Sequence, residues 1–226
     1  MSLEIDRVDV VTFDSFSTLV DVESTARPLE GVVDDPVTFA RDWHSRAAFY
    51  GIVANHLDHY ETYYDFHRLA LEYLLAERDI AATPTELDEI TSIYYDMTPF
   101  PDVRPGMEHL SEAGYALGIV SNGDPEMLDS LVETLGIADL LSGVISADAV
   151  KRYKPARQLY EYAADRLETE PAAMLHVANG SVDIMGAKHT GLQAAWLNRT
   201  ETPPEPWGPE PDITIDDITG LAERLE

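Results

Sequence analysis

The alternation of apolar and polar positions divides this chain into strand-like and helix-like segments. The first apolar run ends at Phe13 and a second spans 114–120, and runs of this kind are typical of buried parallel strands. Further runs follow at 144–146, 174–177, 194–197 and 213–215. Segments with apolar positions three and four residues apart, as in amphipathic helices, separate most of these runs. The pattern therefore predicts an α/β fold with a doubly wound parallel sheet.

Between residues 21 and 98 the periodicity is helical. Asp35 can cap a helix and Pro36 fits the first helical position, so one helix is predicted to begin there. A second helix is predicted over 57–77 and a third over 83–98. Their stripes of aromatic residues predict the core of a small helical bundle.

The segment 99–106 contains three Pro and one Gly, which predicts a loop that returns the chain to the sheet. We therefore predict two domains. Residues 1–20 and 99–226 form the α/β core, and residues 21–98 form a helical cap inserted into it. A second Pro-rich stretch, 202–211, predicts a surface loop before the last strand and helix.

The charge balance predicts the medium in which the protein works. The 226 residues include 42 Asp and Glu against 15 Lys and Arg, a formal net charge of −27, and Lys151, Lys154 and Lys188 are the only lysines. Such a strongly negative charge disfavours nucleic acid and anionic membranes as partners. It suits a cytoplasm of molar salt, where the screening length falls to roughly 3 Å and repulsion between like charges is quenched. We predict a halophilic protein, with an ordinary acidic protein as the alternative.

Composition excludes several classes of protein. The chain has no Cys, which excludes disulfides, thiolate catalysis and cysteine-ligated zinc or iron–sulfur sites. No apolar run approaches the roughly 20 residues needed to cross a bilayer, and the first residues lack the pattern of a secretory signal. We expect a cytoplasmic protein without a membrane partner.

Polar side chains follow four of the predicted strands. In chain order they are Asp14 and Thr18, then Ser121, Asn122 and Gly123, then Lys154, and finally Asp183. Because open α/β sheets bind ligands at the carboxyl ends of their strands, we expect these residues to share one crevice. Singly, each also has a structural explanation, since Asp14, Thr18 and Ser121 can cap turns or helices.

With these four motifs in order, the chain resembles the haloacid dehalogenase superfamily over essentially its whole length. Asp14 stands in the nucleophile position of the first motif, and the resemblance implies a Rossmann-like core with a cap inserted after it. Phosphatases of the superfamily carry a second Asp two residues after the nucleophile, which protonates the leaving group and helps to hold magnesium. Here that residue is Phe16, whose ring can neither donate the proton nor bind a hard cation. Phe16 thus argues against a magnesium-dependent phosphatase, which we keep as the alternative hypothesis.

The motifs are most similar to those of the type II L-2-haloacid dehalogenases. Those enzymes have an aromatic residue at the Phe16 position, Ser-Asn-Gly in the second motif and a Tyr six residues after the Lys, here Tyr160. The resemblance implies a hydrolase that uses no cofactor and removes the halogen from small (S)-2-haloalkanoic acids. Asp14 would attack C2 to form an ester, and water would hydrolyse that ester to a 2-hydroxy acid of inverted configuration.

The resemblance also implies roles for individual side chains. Lys154 would hold Asp14 ionised and oriented, while Asp183 would orient Lys154 and the hydrolytic water. Thr18 would hydrogen-bond Asp14, and Tyr160 would position Lys154 or the substrate. The remaining candidates bind substrate: Ser121 and Asn122 receive its carboxylate near a helix N-terminus, and Phe16 and Trp43 wall a dry pocket.

The chain departs from these dehalogenases at two places. Their cap supplies an Arg directly after the Trp to bind the departing halide, and His44 stands there instead. A neutral imidazole is a poorer anion ligand than a guanidinium, so His44 as a packing residue and Arg41 as the substitute cation both stay open. In the fourth motif a Ser and an Asn correspond to Ala178 and Gly180, which leaves Asn179 as the neighbouring candidate.

These departures leave a further alternative from another class, a protein of this fold that binds a small carboxylate or a partner without turnover. The expected ligand in either case is a small molecule. The aromatic residues of the cap also favour a homodimer.

Overall fold

The computed structural model describes residues 3–225. In chain order the strands are β1 (Val10–Phe13), β2 (Val20–Asp21), β3 (Thr98–Pro99), β4 (Ala116–Ser121), β5 (Leu141–Ser146), β6 (Met174–Ala178), β7 (Gln193–Leu197) and β8 (Ile213–Ile215). Six of them form one parallel sheet in the order β5–β4–β1–β6–β7–β8. The predicted fold class, an α/β protein with a doubly wound parallel sheet, is confirmed.

Helices cover both faces of the sheet and form a separate layer at its carboxyl edge. The α-helices are α1 (Pro36–Leu57), α2 (Tyr63–Ala76), α3 (Pro84–Thr91), α4 (Val103–Glu112), α5 (Pro125–Leu135), α6 (Arg157–Arg166), α7 (Ser181–Thr190) and α8 (Ile218–Leu225). Short 3-10 segments lie at Ile5–Arg7, Val22–Leu29, Ser92–Tyr95, Ala138–Leu140, Ala147–Ala149 and Pro171–Ala173. Among residues 3–225, no helix has the length and apolar character needed to cross a bilayer.

Strand β1 occupies the middle of the sheet, where every residue from Val10 to Phe13 is buried. It pairs with β4 on one side and β6 on the other, and the backbone N–H of Asp14 donates to the carbonyl of Val177 at 2.9 Å. Asp14 therefore emerges at the centre of the carboxyl edge, with strand ends on both sides of it.

The helical layer is built from α1, α2 and α3, and it joins the sheet domain through a two-stranded ribbon. In that ribbon β2 runs antiparallel to β3, with Val20 opposite Pro99 and Asp21 opposite Thr98. The ribbon lies where the sequence predicts the chain to leave and re-enter the core, while the domain limits themselves stay a prediction.

The second predicted helix, 57–77, has the wrong beginning. Helix α1 continues to Leu57 and ends at Asp58, whose φ of 55° breaks the helix. Helix α2 begins only after Thr62, whose side chain accepts a hydrogen bond from the backbone N–H of Asp65. A continuous helical periodicity hid this break, because the apolar positions stay in phase across it.

The segment 99–106 is also not the loop that its Pro residues predict, because α4 begins within it at Val103. Pro105 is the third residue of that helix, where its missing N–H would be unpaired in any case. A Cβ on Gly106 would lie 2.6 Å from the side chain of Ile218. The glycine therefore permits close contact between α4 and α8 and does not mark a turn.

Candidate active site

The carboxylate of Asp14 is held by one group from its own loop and one from the loop after β5. Its Oδ1 lies 2.9 Å from the ammonium of Lys154, and its Oδ2 accepts a hydrogen bond of 3.0 Å from the hydroxyl of Thr18. The Thr18 oxygen in turn accepts from the backbone N–H of Asn179 at 3.0 Å. These contacts fix the orientation of the carboxylate at the end of β1.

Lys154 is almost completely buried and lies between two carboxylates. Its side chain is 5% exposed, and its Nζ is 2.6 Å from Oδ2 of Asp183 as well as 2.9 Å from Asp14. Its backbone N–H donates to the side-chain oxygen of Asn122 at 2.9 Å, which sets the loop that carries it. Burial alone would lower the pKa of Lys154, but the two carboxylates outweigh burial and raise it, so the ammonium stays charged.

The two carboxylates experience this cation differently. Burial raises the pKa of Asp14 above its ordinary value, and the attraction of Lys154 offsets this only in part. Burial also acts on Asp183, but Lys154 and His176 hold its pKa well below the ordinary value. Asp183 is therefore the firmly ionised member of the pair, and Asp14 is the carboxylate whose charge is more easily lost.

Asp183 is supported by two further side chains from behind. The phenol of Tyr160 donates to its Oδ1, and His176 Nε2 lies 3.2 Å from the same oxygen. His176 Nε2 has no hydrogen-bond partner within residues 3–225, and its contact with Asp183 acts by electrostatic attraction. Its other nitrogen, Nδ1, is 2.9 Å from the hydroxyl of Thr12. His176 is not among the predicted site residues, because it lies inside an apolar strand and has the pattern of a packing residue.

A cavity of about 270 Å³ opens over Asp14. From the sheet domain it is lined by Asp14, Phe16, Ser17, Asn122, Lys154, Asn179, Gly180, Val182 and Asp183, and from the helical layer by His44, Ala48, Ile52 and Tyr63. A larger groove of about 740 Å³ lies under the Pro-rich loop, but it contains only Asn179 of the predicted site. The ionisable groups identify the smaller cavity as the candidate active site.

Seven predicted site residues line this cavity: Asp14, Phe16, His44, Asn122, Lys154, Asn179 and Asp183. Thr18 and Tyr160 lie behind it and hydrogen-bond its carboxylates. The side chain of Asn179 donates to the carbonyl of Leu197 at 2.8 Å. That bond ties its amide to β7, so Asn179 is not free to hold a water molecule with this N–H.

Arg41, Trp43 and Ser121 do not line the cavity, contrary to the prediction. Arg41 points into solvent and forms an ion pair with Glu23 at 2.5 Å, an acid that the 3-10 segment Val22–Leu29 brings beside it. Trp43 is fully buried, and its indole N–H donates to the carbonyl of His67 at 2.6 Å, so it supports the wall from behind.

Ser121 is fully buried as well. Its hydroxyl lies 2.5 Å from that of Ser15 and accepts from the backbone N–H of Gly123 at 2.9 Å. Through these bonds Ser121 stabilises the loop after β4 and does not contact the cavity. Asn122 is the residue of this motif that lines it.

The helical layer contributes two polar groups to the cavity, and the sequence analysis identified only one of them. His44, one of the predicted candidates, lines the cavity. Burial lowers its pKa to about 4, so the ring is neutral at neutral pH. Tyr63 belongs to one of the aromatic stripes that predict the core of the helical bundle, but its phenol lies beside the side chain of Asn122 in the cavity. Asp124 fixes Tyr63 in place, since its carboxylate accepts from the first backbone N–H groups of α2, at 3.0 Å from Tyr63 and 2.7 Å from Tyr64.

Comparison with known proteins agrees with this geometry. A family model described as haloacid dehalogenase-like hydrolase matches residues 8–191. The (S)-2-haloacid dehalogenase of Xanthobacter autotrophicus is 30% identical over 85% of this chain and 76% of its own, and the (S)-2-haloacid dehalogenase 4A of Burkholderia cepacia is 29% identical over 89% and 87%.

The chain therefore belongs to the haloacid dehalogenase-like hydrolases, as its four motifs predict. Among solved structures, it is similar to the L-2-haloacid dehalogenase of Xanthobacter autotrophicus with chloropropionic acid covalently bound. The TM-score is 0.90 at 26% identity, with 96% of this chain and 98% of that chain covered.

Proposed function

We propose that this protein hydrolyses the carbon–halogen bond of small (S)-2-haloalkanoic acids through an ester on Asp14, without a metal ion. The observation that carries the proposal is the position of Asp14, which is bound to Lys154 at 2.9 Å and opens into a cavity walled by Phe16. The relatives that bear this name support the choice of substrate.

In the first step a carboxylate oxygen of Asp14 attacks C2 of the substrate. The new C–O bond forms as the C–halogen bond breaks on the opposite side, so the configuration at C2 inverts and the halide leaves with the bonding electron pair. The side chain of Asp14 is only 15% exposed, and fixed groups orient its carboxylate, which favours attack. The substrate carboxylate would lie beside Asn122 at the N-terminus of α5.

In the second step water attacks the carboxyl carbon of the Asp14 ester. The bond between that carbon and the ester oxygen attached to C2 breaks, which releases the 2-hydroxy acid, regenerates the Asp14 carboxylate with an oxygen from water and leaves one proton for solvent. Lys154 stabilises negative charge on the ester oxygen, and Asp183 orients Lys154 and the water through its 2.6 Å contact.

Phe16 supports dehalogenation over phosphate transfer. It stands two residues after Asp14, where a phosphatase of this superfamily carries an acid, and its ring centroid lies 5.9 Å from that of His44 and 5.8 Å from that of Tyr63. A ring supplies neither a ligand for a hard cation nor a proton for an alcohol leaving group.

The decisive test measures halide release from (S)-2-chloropropionate in the presence of EDTA. We expect the wild type to release halide and Asp14→Asn to be slower by at least about 10³-fold. A single turnover in ¹⁸O-labelled water should place the label in the Asp14 carboxylate, because water attacks that carbon in the second step. Mass spectrometry of the Asp14 peptide provides this measurement.

Two outcomes would contradict the proposal. Magnesium-dependent release of phosphate from a generic ester, without halide release, would establish a phosphatase. Neither activity at low or molar KCl would favour a protein of this fold that binds a small carboxylate or a partner without turnover.

A further inference from the structure

The halide must leave toward the helical layer, if the proposed function holds. Attack at C2 and departure of the halide lie on one line, and Asp14 projects from the sheet, so the halide moves to the opposite wall. Helices α1 and α2 form that wall with His44, Ala48, Ile52 and Tyr63. Of these four side chains, only His44 and Tyr63 carry a hydrogen-bond donor.

That wall holds no positive charge among the residues described. Lys154 is the only Lys or Arg that lines the cavity in the range 3–225, and it is bound to Asp14 and Asp183 on the sheet side. On α1, Arg41 pairs with Glu23, and Arg46 lies over the ring of Tyr73 at 4.3 Å. Neither guanidinium reaches the cavity.

The donor that His44 presents is fixed by its surroundings. Its Nδ1 is buried without a hydrogen-bond partner, and its ring packs against those of Phe16 at 5.9 Å and His67 at 5.7 Å. An unpaired buried N–H costs more than an unpaired lone pair, so the proton belongs on Nε2, the nitrogen that is open to the cavity. His44 thus offers a single neutral N–H.

We propose that the Nε2–H of His44 and the hydroxyl of Tyr63 form a neutral halide subsite that receives the departing halide. Fixed neutral donors stabilise a developing anion in a buried site, but they bind a free anion about half as strongly as a charged donor does. In the molar salt that the acidic composition predicts, a guanidinium here would be occupied by ambient chloride. The neutral subsite instead leaves the cavity open to substrate and releases its halide.

The first test compares the wild type with His44→Arg at constant ionic strength, with potassium chloride replaced stepwise by potassium sulfate. Up to about 2 M chloride we expect kcat/KM of the wild type for (S)-2-chloropropionate to change by less than about 2-fold, whereas that of His44→Arg falls by about 10-fold through competition. Equal sensitivity to chloride in both proteins would contradict the neutral subsite.

The second test removes the donor and follows the leaving group. His44→Phe keeps a ring but loses the N–H, and we expect kcat with the chloro substrate to fall by about 10²-fold. The loss should be smaller with (S)-2-bromopropionate, because bromide needs less stabilisation. His44→Gln restores an N–H and should recover part of the rate, and Tyr63→Phe should raise the bromide-to-chloride ratio in the same direction.

Arg46→Ala is the matched control on the same helix, since Arg46 contacts Tyr73 outside the cavity. Melting temperatures of all variants show whether a loss of rate reflects unfolding. An unchanged bromide-to-chloride ratio in folded His44→Phe would overturn the subsite alone. No halide release from the wild type with either substrate would overturn the proposed function, and the subsite with it.

Discussion

The balance of charge around Asp14 sets the pH range in which it can attack. Burial raises the pKa of this carboxyl, and Lys154 offsets the rise only in part. The protonated acid is not a nucleophile, so activity falls as the pH falls through this pKa. We therefore expect the acid limb of kcat/KM to lie above the ordinary aspartate value of about 3.9, measured as halide release from pH 3 to 8.

The titration of His44 must be distinguished from that of Asp14, because burial lowers the pKa of His44 to about 4 and could also produce an acid limb. The same profile in His44→Gln, which does not titrate, keeps the limb if Asp14 causes it. A limb that disappears in His44→Gln would assign the titration to His44 and contradict the prediction.

His176 should act on the second step rather than the first. It is fully buried between Thr12 and Asp183, at 2.9 and 3.2 Å, and it is a positioning residue because it lies behind the carboxylate. In His176→Phe we expect hydrolysis of the ester to slow by about 10-fold, while halide release in the first turnover is little changed. Rapid-quench kinetics would show this as a burst of halide equal to the enzyme concentration, and equal slowing of both steps would contradict it.

At this scale the sequence predicts the residues that backbone topology brings together. Asp14, Lys154 and Asp183 follow strand ends, so a parallel sheet must place them at one edge. It does not predict side chains whose partners lie far away in sequence. Arg41 lies in solvent because it pairs with Glu23. Tyr63 is held at the cavity because its backbone N–H donates to Asp124.

Two of the helices that support the site pack closely because one of them has a glycine at the contact. Helix α7 carries Asp183 and packs on α6, which carries Tyr160, at Gly186. A Cβ at Gly186 would lie 2.7 Å from the Tyr160 hydroxyl and 2.8 Å from the Cβ of Pro155. The absence of a side chain is thus what allows the phenol to reach Asp183.

Gly186→Ala should accordingly weaken both fold and site. We expect the free energy of unfolding in urea to fall by about 1–3 kcal/mol, and the ester-hydrolysis rate to fall because Tyr160 is displaced. Gly180→Ala is the stability control, since a Cβ there meets nothing within 4 Å. Equal stability of Gly186→Ala and the wild type would show that α6 and α7 can separate without loss.

The same scale shows where periodicity stops predicting elements. The pattern identifies the helical layer, because burial repeats at about 3.6 residues along a helix, and the parallel strands, because they are short continuous apolar runs. It does not identify breaks and starts that depend on single backbone groups. Asp58 ends α1 in a left-handed conformation, and Pro105 is accommodated in the first turn of α4, and neither event changes the order of apolar positions.

For the whole molecule, charge is the dominant feature. A net charge of −27 is an excess of 27 acidic side chains over Lys and Arg, and repulsion among the acids opposes the compact state at low salt. Helix α5 shows the problem locally. Glu126, Asp129 and Glu133 are exposed on it at spacings of three and four residues, where like charges repel, and none of the three forms an ion pair with another residue in the range 3–225.

Stability should therefore rise with salt. Between about 0.1 and 2 M KCl the screening length falls from about 10 Å to below about 3 Å, and we expect the melting temperature to rise by about 10 °C, equivalent to about 3 kcal/mol for a chain of this size. The matched variant Glu126→Gln/Asp129→Asn/Glu133→Gln removes three like charges without touching the cavity. It should be more stable than the wild type at low salt and gain less from KCl. Calorimetry that found no rise in the wild type, or the same rise in both proteins, would show that screening of surface acids does not govern the stability of this fold.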